Sequence, residues 1–147
     1  MKFSFGKSKL KEPTKTILFV CVENAGRSQM AEGFFKKYSP EGYQVASAGT
    51  KPISQINPVA IEAMDEVGID ITNQKSKELT EEMIRTSDKI INMGCMDKEA
   101  CPSLFLNNLL DWNIEDPKGK PIEKVREIRD EIDQRVKELV AGIKIHQ

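Results

Sequence analysis

Apolar positions change their spacing repeatedly along this chain, and each change marks an element. Ile17-Leu18-Phe19-Val20 is an unbroken branched run, short enough to predict a strand buried on both faces. Six residues after Val20 the period lengthens. Met30, Ala31, Phe34 and Phe35 recur at helical spacing, which predicts a helix from near Ser28. Ser39-Pro40-Glu41-Gly42 reads as a turn, Tyr43 to Ser47 as a second strand, and Ala48-Gly49-Thr50 as its exit. Pro58 suits a helix's first turn with Asn57 as N-cap. Val59, Ala60, Ala63, Met64 and Val67 give that helix a buried face, and Gly68 ends it. Ile69 and Ile71 alternate with Asp70 in a short extended piece. Leu79, Met83 and Ile84 mark a short helix capped by Thr80. Lys89 to Met93 predicts a third strand, and Asn108 to Trp112 a weaker fourth. Pro121 opens the last helix, where Ile122, Val125, Ile128, Ile132, Val136, Leu139, Val140 and Ile143 hold one face over six turns. That face reads as core rather than as a partner-binding stripe.

Strands alternating with helices imply an α/β sandwich around a parallel sheet. Ligands of such sheets bind at the carboxyl ends of strands, near a switch in strand order. Cys21 after strand one, Gly94-Cys95 after strand three and Asp116 after strand four fall on that edge. A length of 147 residues with 39% apolar content suits one domain, residues 16–147, with a full core. Residues 1–15, with five lysines, Phe3, Phe5 and Pro13, read as a basic extension lying loosely on it; a short added strand is the alternative. Basic and acidic residues number 22 and 23, which favours neither nucleic acid nor an anionic membrane as partner. No apolar stretch reaches the length of a membrane span, and no secretory h-region follows Met1. Three cysteines, an odd count, fit a reducing cytoplasm rather than a disulfide scaffold.

The chemistry concentrates in Cys21-Val22-Glu23-Asn24-Ala25-Gly26-Arg27-Ser28, a C-x5-R-S loop between the first strand and the first helix. Five intervening residues let the chain circle back so that successive backbone N–H groups face a common centre. Gly26 is expected to supply a dihedral that a side chain resists. The helix points its positive end at the same centre, and Arg27 can grip two oxygens of a tetrahedral anion. The same field, with a hydroxyl bond from Ser28, favours the Cys21 thiolate and makes it a nucleophile. A buried small hydrophobe beside a surface arginine is the plainer reading of this cysteine.

This loop resembles the phosphate-binding loop of the low-molecular-weight tyrosine phosphatase superfamily, and "RSQMAEGFF" is most similar to its arsenate reductase branch. "SAGT", "NP", "GIDIT", "MGC…CP", "DWNIEDP" and the closing helix extend the resemblance over most of the chain after residue 15. It implies a three-layer α/β sandwich on a four-stranded parallel sheet of order 2-1-3-4. It implies that residues 22–27 bind the oxyanion, arsenate or its mimics phosphate and sulfate, and that Asp116 is the general acid. Glu115 is the local rival to Asp116, and an Asp-Pro turn the plain alternative. His146, beside the C-terminus, is a poor acid. Phosphatases of the family follow this Asp-Pro with tyrosines; Lys118-Gly119 stands here instead, which removes the aryl platform. Some members hold potassium beside the loop through residues that match Asn24, Glu32 and Ser47, and a further acidic ligand of theirs falls near Lys77. The Lys77 ammonium is therefore expected to bond to Asn24, Glu32 or Ser47 in place of the ion. Bracing of the loop is the simpler role for these residues.

Cys95 and Cys101 are six residues apart, about 10 Å on a regular helix and beyond the roughly 7 Å a disulfide tolerates. A bond between them needs an irregular segment, for which Gly94 and Pro102 are suited. Zinc lacks a nearby third ligand; two structural thiols remain the plain alternative. The resemblance implies a cascade Cys21 → Cys95 → Cys101 that reduces arsenate to arsenite, with thioredoxin or a similar dithiol protein restoring the thiols and no bound cofactor. The redox pair of well-studied members is spaced one residue wider. A phosphotyrosine or phosphoarginine phosphatase, needing only Cys21, Arg27 and Asp116, is the first rival; a non-enzymatic oxyanion or redox sensor is the second.

Overall fold

The computed structural model describes residues 14–93 and 109–145. In chain order they form β1 (Lys15–Cys21), α1 (Arg27–Tyr38), β2 (Tyr43–Gly49), α2 (Pro58–Asp65), α3 (Glu81–Thr86), β3 (Lys89–Asn92), β4 (Leu109–Asp111) and α4 (Ile122–Ile145). Residues 1–13 of the expected extension, with Gly94, Cys95, Cys101, Pro102, Asn108 and His146, lie outside the described residues, and its last residue, Lys15, opens β1.

The strands form one parallel sheet in the order β2-β1-β3-β4. β1 is central, and its alternate residues feed two separate cores. Ile17, Phe19 and Cys21 face α1, α2 and α4; Leu18 and Val20 join Ile84, Ile90 and Ala48 on the face that carries α3. This is why the run Ile17–Val20 shows no polar alternation. The strand extends two residues further back than the apolar run. Lys15 and Thr16 pair with Tyr43 and Gln44 at the sheet's end, where an exposed backbone is ladder-bonded without side-chain burial. Phe19 sets the larger core, its ring 6.3 Å from Phe35 and 5.7 Å from Trp112.

The caps fall where the side chains require them. Asn57 accepts from the Val59 amide and Pro58 occupies the first turn of α2; Thr80 accepts from the Met83 amide at α3. Ile69–Ile71 joins no strand. Asp70 Oδ1 accepts from both the amide and the hydroxyl of Thr72, turning the chain after Ile71 has entered the core. Because β1 is flanked by β2 and β3, the chain leaves it in opposite directions, and Cys21 ends the strand at that divergence. α4 buries Val125, Ile128, Ile132, Val136 and Val140, as its periodicity predicts.

A cluster of charges ties α4 to the end of α2. Arg126 and Arg129 both donate to the Glu66 carboxylate, at 2.7 and 2.9 Å. The Arg126 bonds foremost, with those of Arg129, hold Glu66 down at about 2. A depressed carboxyl contributes stability above its unfolded value, and that contribution is lost as pH falls from about 4.5 toward 2. Glu66→Gln should therefore flatten the acid limb of the melting temperature between pH 5 and 2 while lowering the melting temperature at pH 7. An acid limb parallel to that of the unmutated protein would show that Glu66 titrates as it does unfolded.

Candidate active site

Between β1 and α1 the loop turns all its carbonyls outward to the scaffold. Cys21 O accepts from Thr50 N, Val22 O from Lys51 N, Glu23 O from Ile53 N and Ser76 Oγ, and Ala25 O from Asn57 N. Asn24 O accepts from Gln29 Nε2, and Gly26 O from Met30 N. Among the described residues, no amide N–H from Glu23 to Ser28 donates a hydrogen bond. The donors are thus left to the concave side, where the N-terminus of α1 adds its own and carries no acidic residue in its first turn. Peptide groups arranged in this way are able to receive an oxyanion.

Three residues let the backbone close this tightly. Asn24 takes the left-handed conformation, φ 52°, which asparagine tolerates better than most side chains. Gly26 takes φ −129° and ψ −88°, outside the helical and extended regions as expected, but not in the left-handed one. Its need for glycine is steric: a Cβ there would sit 2.9 Å from Pro117 Cγ, so Gly26 lets the Asp116 turn pack onto the loop. Gly49 does the same from β2, where a Cβ would lie 2.5 Å from Val22 O.

Cys21 Sγ lies 2.8 Å from Ser28 Oγ and the residue is 3% exposed. The direction of that bond follows from its neighbours. Lys77 N donates to Asn24 Oδ1 at 2.7 Å, which fixes the amide and aims Nδ2 at Ser28 Oγ, 2.8 Å away. With its oxygen accepting from Asn24, the Ser28 hydroxyl proton is available to Cys21 Sγ. A donor there stabilises the thiolate over the thiol.

Buried Arg27 spans the other wall. Nη1 donates to the carbonyls of Ile114 (2.9 Å) and Met93 (3.2 Å), and Nη2 stands 3.4 Å from Asp116 Oδ2. Asp116 is 56% exposed and lines the same cleft as Cys21, a space of about 420 Å³. Glu115 is turned away: it pairs with Lys124 and Lys120, bonds that hold its carboxyl below its ordinary value. Lys118 Nζ reaches Glu23 Oε2 at 2.7 Å on the cleft wall. Cys21, Val22, Glu23, Ala25, Gly26, Arg27 and Asp116 all line the cleft. Behind the loop, Asn24 bonds to Lys77 N and to Ser28 Oγ, while Ser47 bonds to Glu32. Gln29 escapes a reading of the sequence; it links Asn24 O to Lys75 O, and its signal is a polar residue on the buried flank of α1.

The residues at the expected potassium position are engaged with protein partners. Asn24 Oδ1 is taken by the Lys77 amide, Ser47 Oγ donates to Glu32 Oε1, and Glu32 Oε2 pairs with Lys36 at 2.9 Å. The Lys77 ammonium bonds to Lys75 O and stands 4.0 Å from Glu32 Oε1, closer to the expected place than to the expected bond. Burial pulls Lys77 below its ordinary value, with the Glu32 charge opposing.

Residues 16–147 match the family described as low molecular weight phosphotyrosine protein phosphatase. The chain belongs to that family. Within it, the sequence is 43% identical over 120 residues to an arsenate reductase of Staphylococcus aureus (strain Newman), covering 80% of this chain and 90% of that one. The structure resembles a thioredoxin-dependent arsenate reductase of Corynebacterium glutamicum at TM-score 0.79 and 39% identity, over 96% of this chain and 67% of that one. It also resembles an arginine phosphatase from Geobacillus stearothermophilus at TM-score 0.83 and 28% identity, over 90% and 95% of the two chains. The strand order 2-1-3-4 that the resemblance implies is present here.

Ser28→Ala should raise the pH midpoint of Cys21 alkylation by roughly one to two pH units, the value of one hydrogen bond to a charged group. An unchanged midpoint would show that Ser28 does not donate to the sulfur. Exchanging sodium for potassium at constant ionic strength should leave the melting temperature and phosphate affinity unaltered; a rise of several degrees in potassium alone would contradict the expectation that Lys77 stands in for the ion.

Proposed function

We propose that this chain is an arsenate reductase that works through a thiol–disulfide cascade and is restored by thioredoxin or a similar dithiol protein in the cytoplasm. The observation that carries this reading is the meeting of a thiolate-stabilising cradle with the start of the segment holding two more cysteines. Met93 O is bonded by Arg27, and Cys95 follows two residues later, a chain reach of at most about 7 Å. The arsenate reductases at 43% and 39% identity support the same assignment. Among the described residues, no helix is long and apolar enough to cross a membrane.

The loop amides and Arg27 hold the oxyanion with arsenic in front of Cys21 Sγ. An incoming anion takes the guanidinium over from Asp116, leaving that carboxyl to deliver a proton to the departing oxygen. Cys21 sulfur bonds to arsenic as an oxygen leaves as water. Cys95 thiolate then attacks Cys21 sulfur: the new S–S bond forms, and the S–As electron pair passes to arsenic, reducing it from As(V) to As(III). Arsenite departs. Cys101 attacks Cys95, Cys21 leaves as thiolate, and the Cys95–Cys101 disulfide goes to the external dithiol. Phosphorus does not accept such a pair, so phosphate stops at binding. Cys21, Arg27 and Asp116 also suffice for phosphomonoester hydrolysis, and the arginine phosphatase likeness favours a residual activity of that kind.

The two activities separate by cysteine. Cys95→Ser and Cys101→Ser should both abolish arsenate turnover and spare any phosphatase activity. Cys101→Ser should release one arsenite per enzyme and retain a Cys21–Cys95 bond visible by mass spectrometry. Arsenate turnover that survives either substitution would refute the cascade.

A further inference from the structure

Glu23 is out of place by charge. An oxyanion loop gains from every positive contribution, yet this one carries a carboxylate on the cleft wall, 28% exposed. Its partner comes from 95 residues away, in the turn after the candidate acid. That turn is closely set: Lys118 N donates to Asp116 Oδ1 at 3.0 Å, Lys120 N donates to Pro117 O at 3.0 Å, and Pro117 packs where Gly26 has no Cβ. The result aims Lys118 Nζ at Glu23 Oε2, 2.7 Å away, with the lysine side chain still 66% exposed. Among the described residues, the charged side chains lining the cleft are then Glu23, Asp116, Arg27 and Lys118, two of each sign.

An ion pair this exposed contributes little to stability. Its place gives it a different consequence. We propose that Lys118 determines oxyanion affinity by neutralising Glu23, so that the cradle's amides and Arg27 act on a dianion without the opposing charge of Glu23. The inference rests on the reading of the loop as an oxyanion site and does not depend on the reduction step. One unit charge at the rim of a pocket that takes a dianion alters affinity roughly tenfold, and salt diminishes the effect.

The test measures the dissociation constant of inorganic phosphate on the full chain, by calorimetry and by protection of Cys21 from alkylation. Lys118→Ala should weaken phosphate binding about tenfold, and Lys118→Arg should not. Glu23→Gln should tighten it several-fold, because Lys118 is then uncompensated. The Glu23→Gln/Lys118→Ala double variant should return to within about twofold of the unmutated protein. At about 0.5 M salt the defect of Lys118→Ala should shrink. Equal melting temperatures would establish that the variants fold. A double variant as weak as Lys118→Ala, or a Lys118→Ala that binds normally, would overturn the proposal. Phosphate binding is read without turnover: absence of arsenate reduction in the unmutated protein counts against the reductase reading alone.

Discussion

Residues 21–26 keep their carbonyls on the scaffold side, and that one-sidedness is what the rest of the structure depends on. Each of the six carbonyls accepts a bond from a neighbouring segment or from the start of α1. A buried peptide group that loses its partner costs about 1–3 kcal/mol, so flipping any unit of this loop is opposed locally. The amides are therefore presented to the cleft before any anion arrives. Such preorganisation is where electrostatic catalysis gains most, since no dipole has to turn when charge develops.

The scaffold exists to supply those donors in the right places. β2 delivers Thr50 and Lys51 just beyond Gly49, which has no side chain to hold the strand end away from Val22. Asn57 serves twice, capping α2 with its side chain and bonding Ala25 with its amide. The segment before α3 contributes Ser76 to Glu23 and the Lys77 amide to Asn24. Behind Asn24 comes Ser28, and behind Ser28 the sulfur. The Cys21 sulfur is thus oriented by a chain of hydrogen bonds that begins in a loop far away in sequence.

Much of this was legible from residue order because the signals are local. An unbroken branched run, a cysteine, five residues, an arginine and a helical period place strand, loop and helix in order. Caps at Asn57 and Thr80 follow from single side chains. What escaped depends on close approach between distant segments. Gly26 is glycine because of Pro117, and the left-handed turn belongs to Asn24; neither is visible without the packed fold. Gln29 and the Glu23–Lys118 pair are long-range for the same reason, although an acid inside an anion loop is a charge anomaly that asks for a partner. Lys77 illustrates the intermediate case: its neighbourhood beside Glu32 was legible, but its ammonium bonds to Lys75 O.

A loop that admits phosphate and arsenate alike would leave the fate of a Cys21 adduct to decide between the two activities. Water resolves a phosphoryl adduct, whereas a second thiol resolves an arsenic one and changes its oxidation state. The most direct measurement is therefore arsenate-dependent oxidation of NADPH by the full chain coupled to thioredoxin and thioredoxin reductase, compared with hydrolysis of an aryl phosphate by the same preparation. Sustained NADPH oxidation that requires both arsenate and thioredoxin, with aryl phosphate hydrolysis slower by orders of magnitude, is the expected result. Rapid phosphate ester hydrolysis with no arsenate-dependent NADPH oxidation would contradict it.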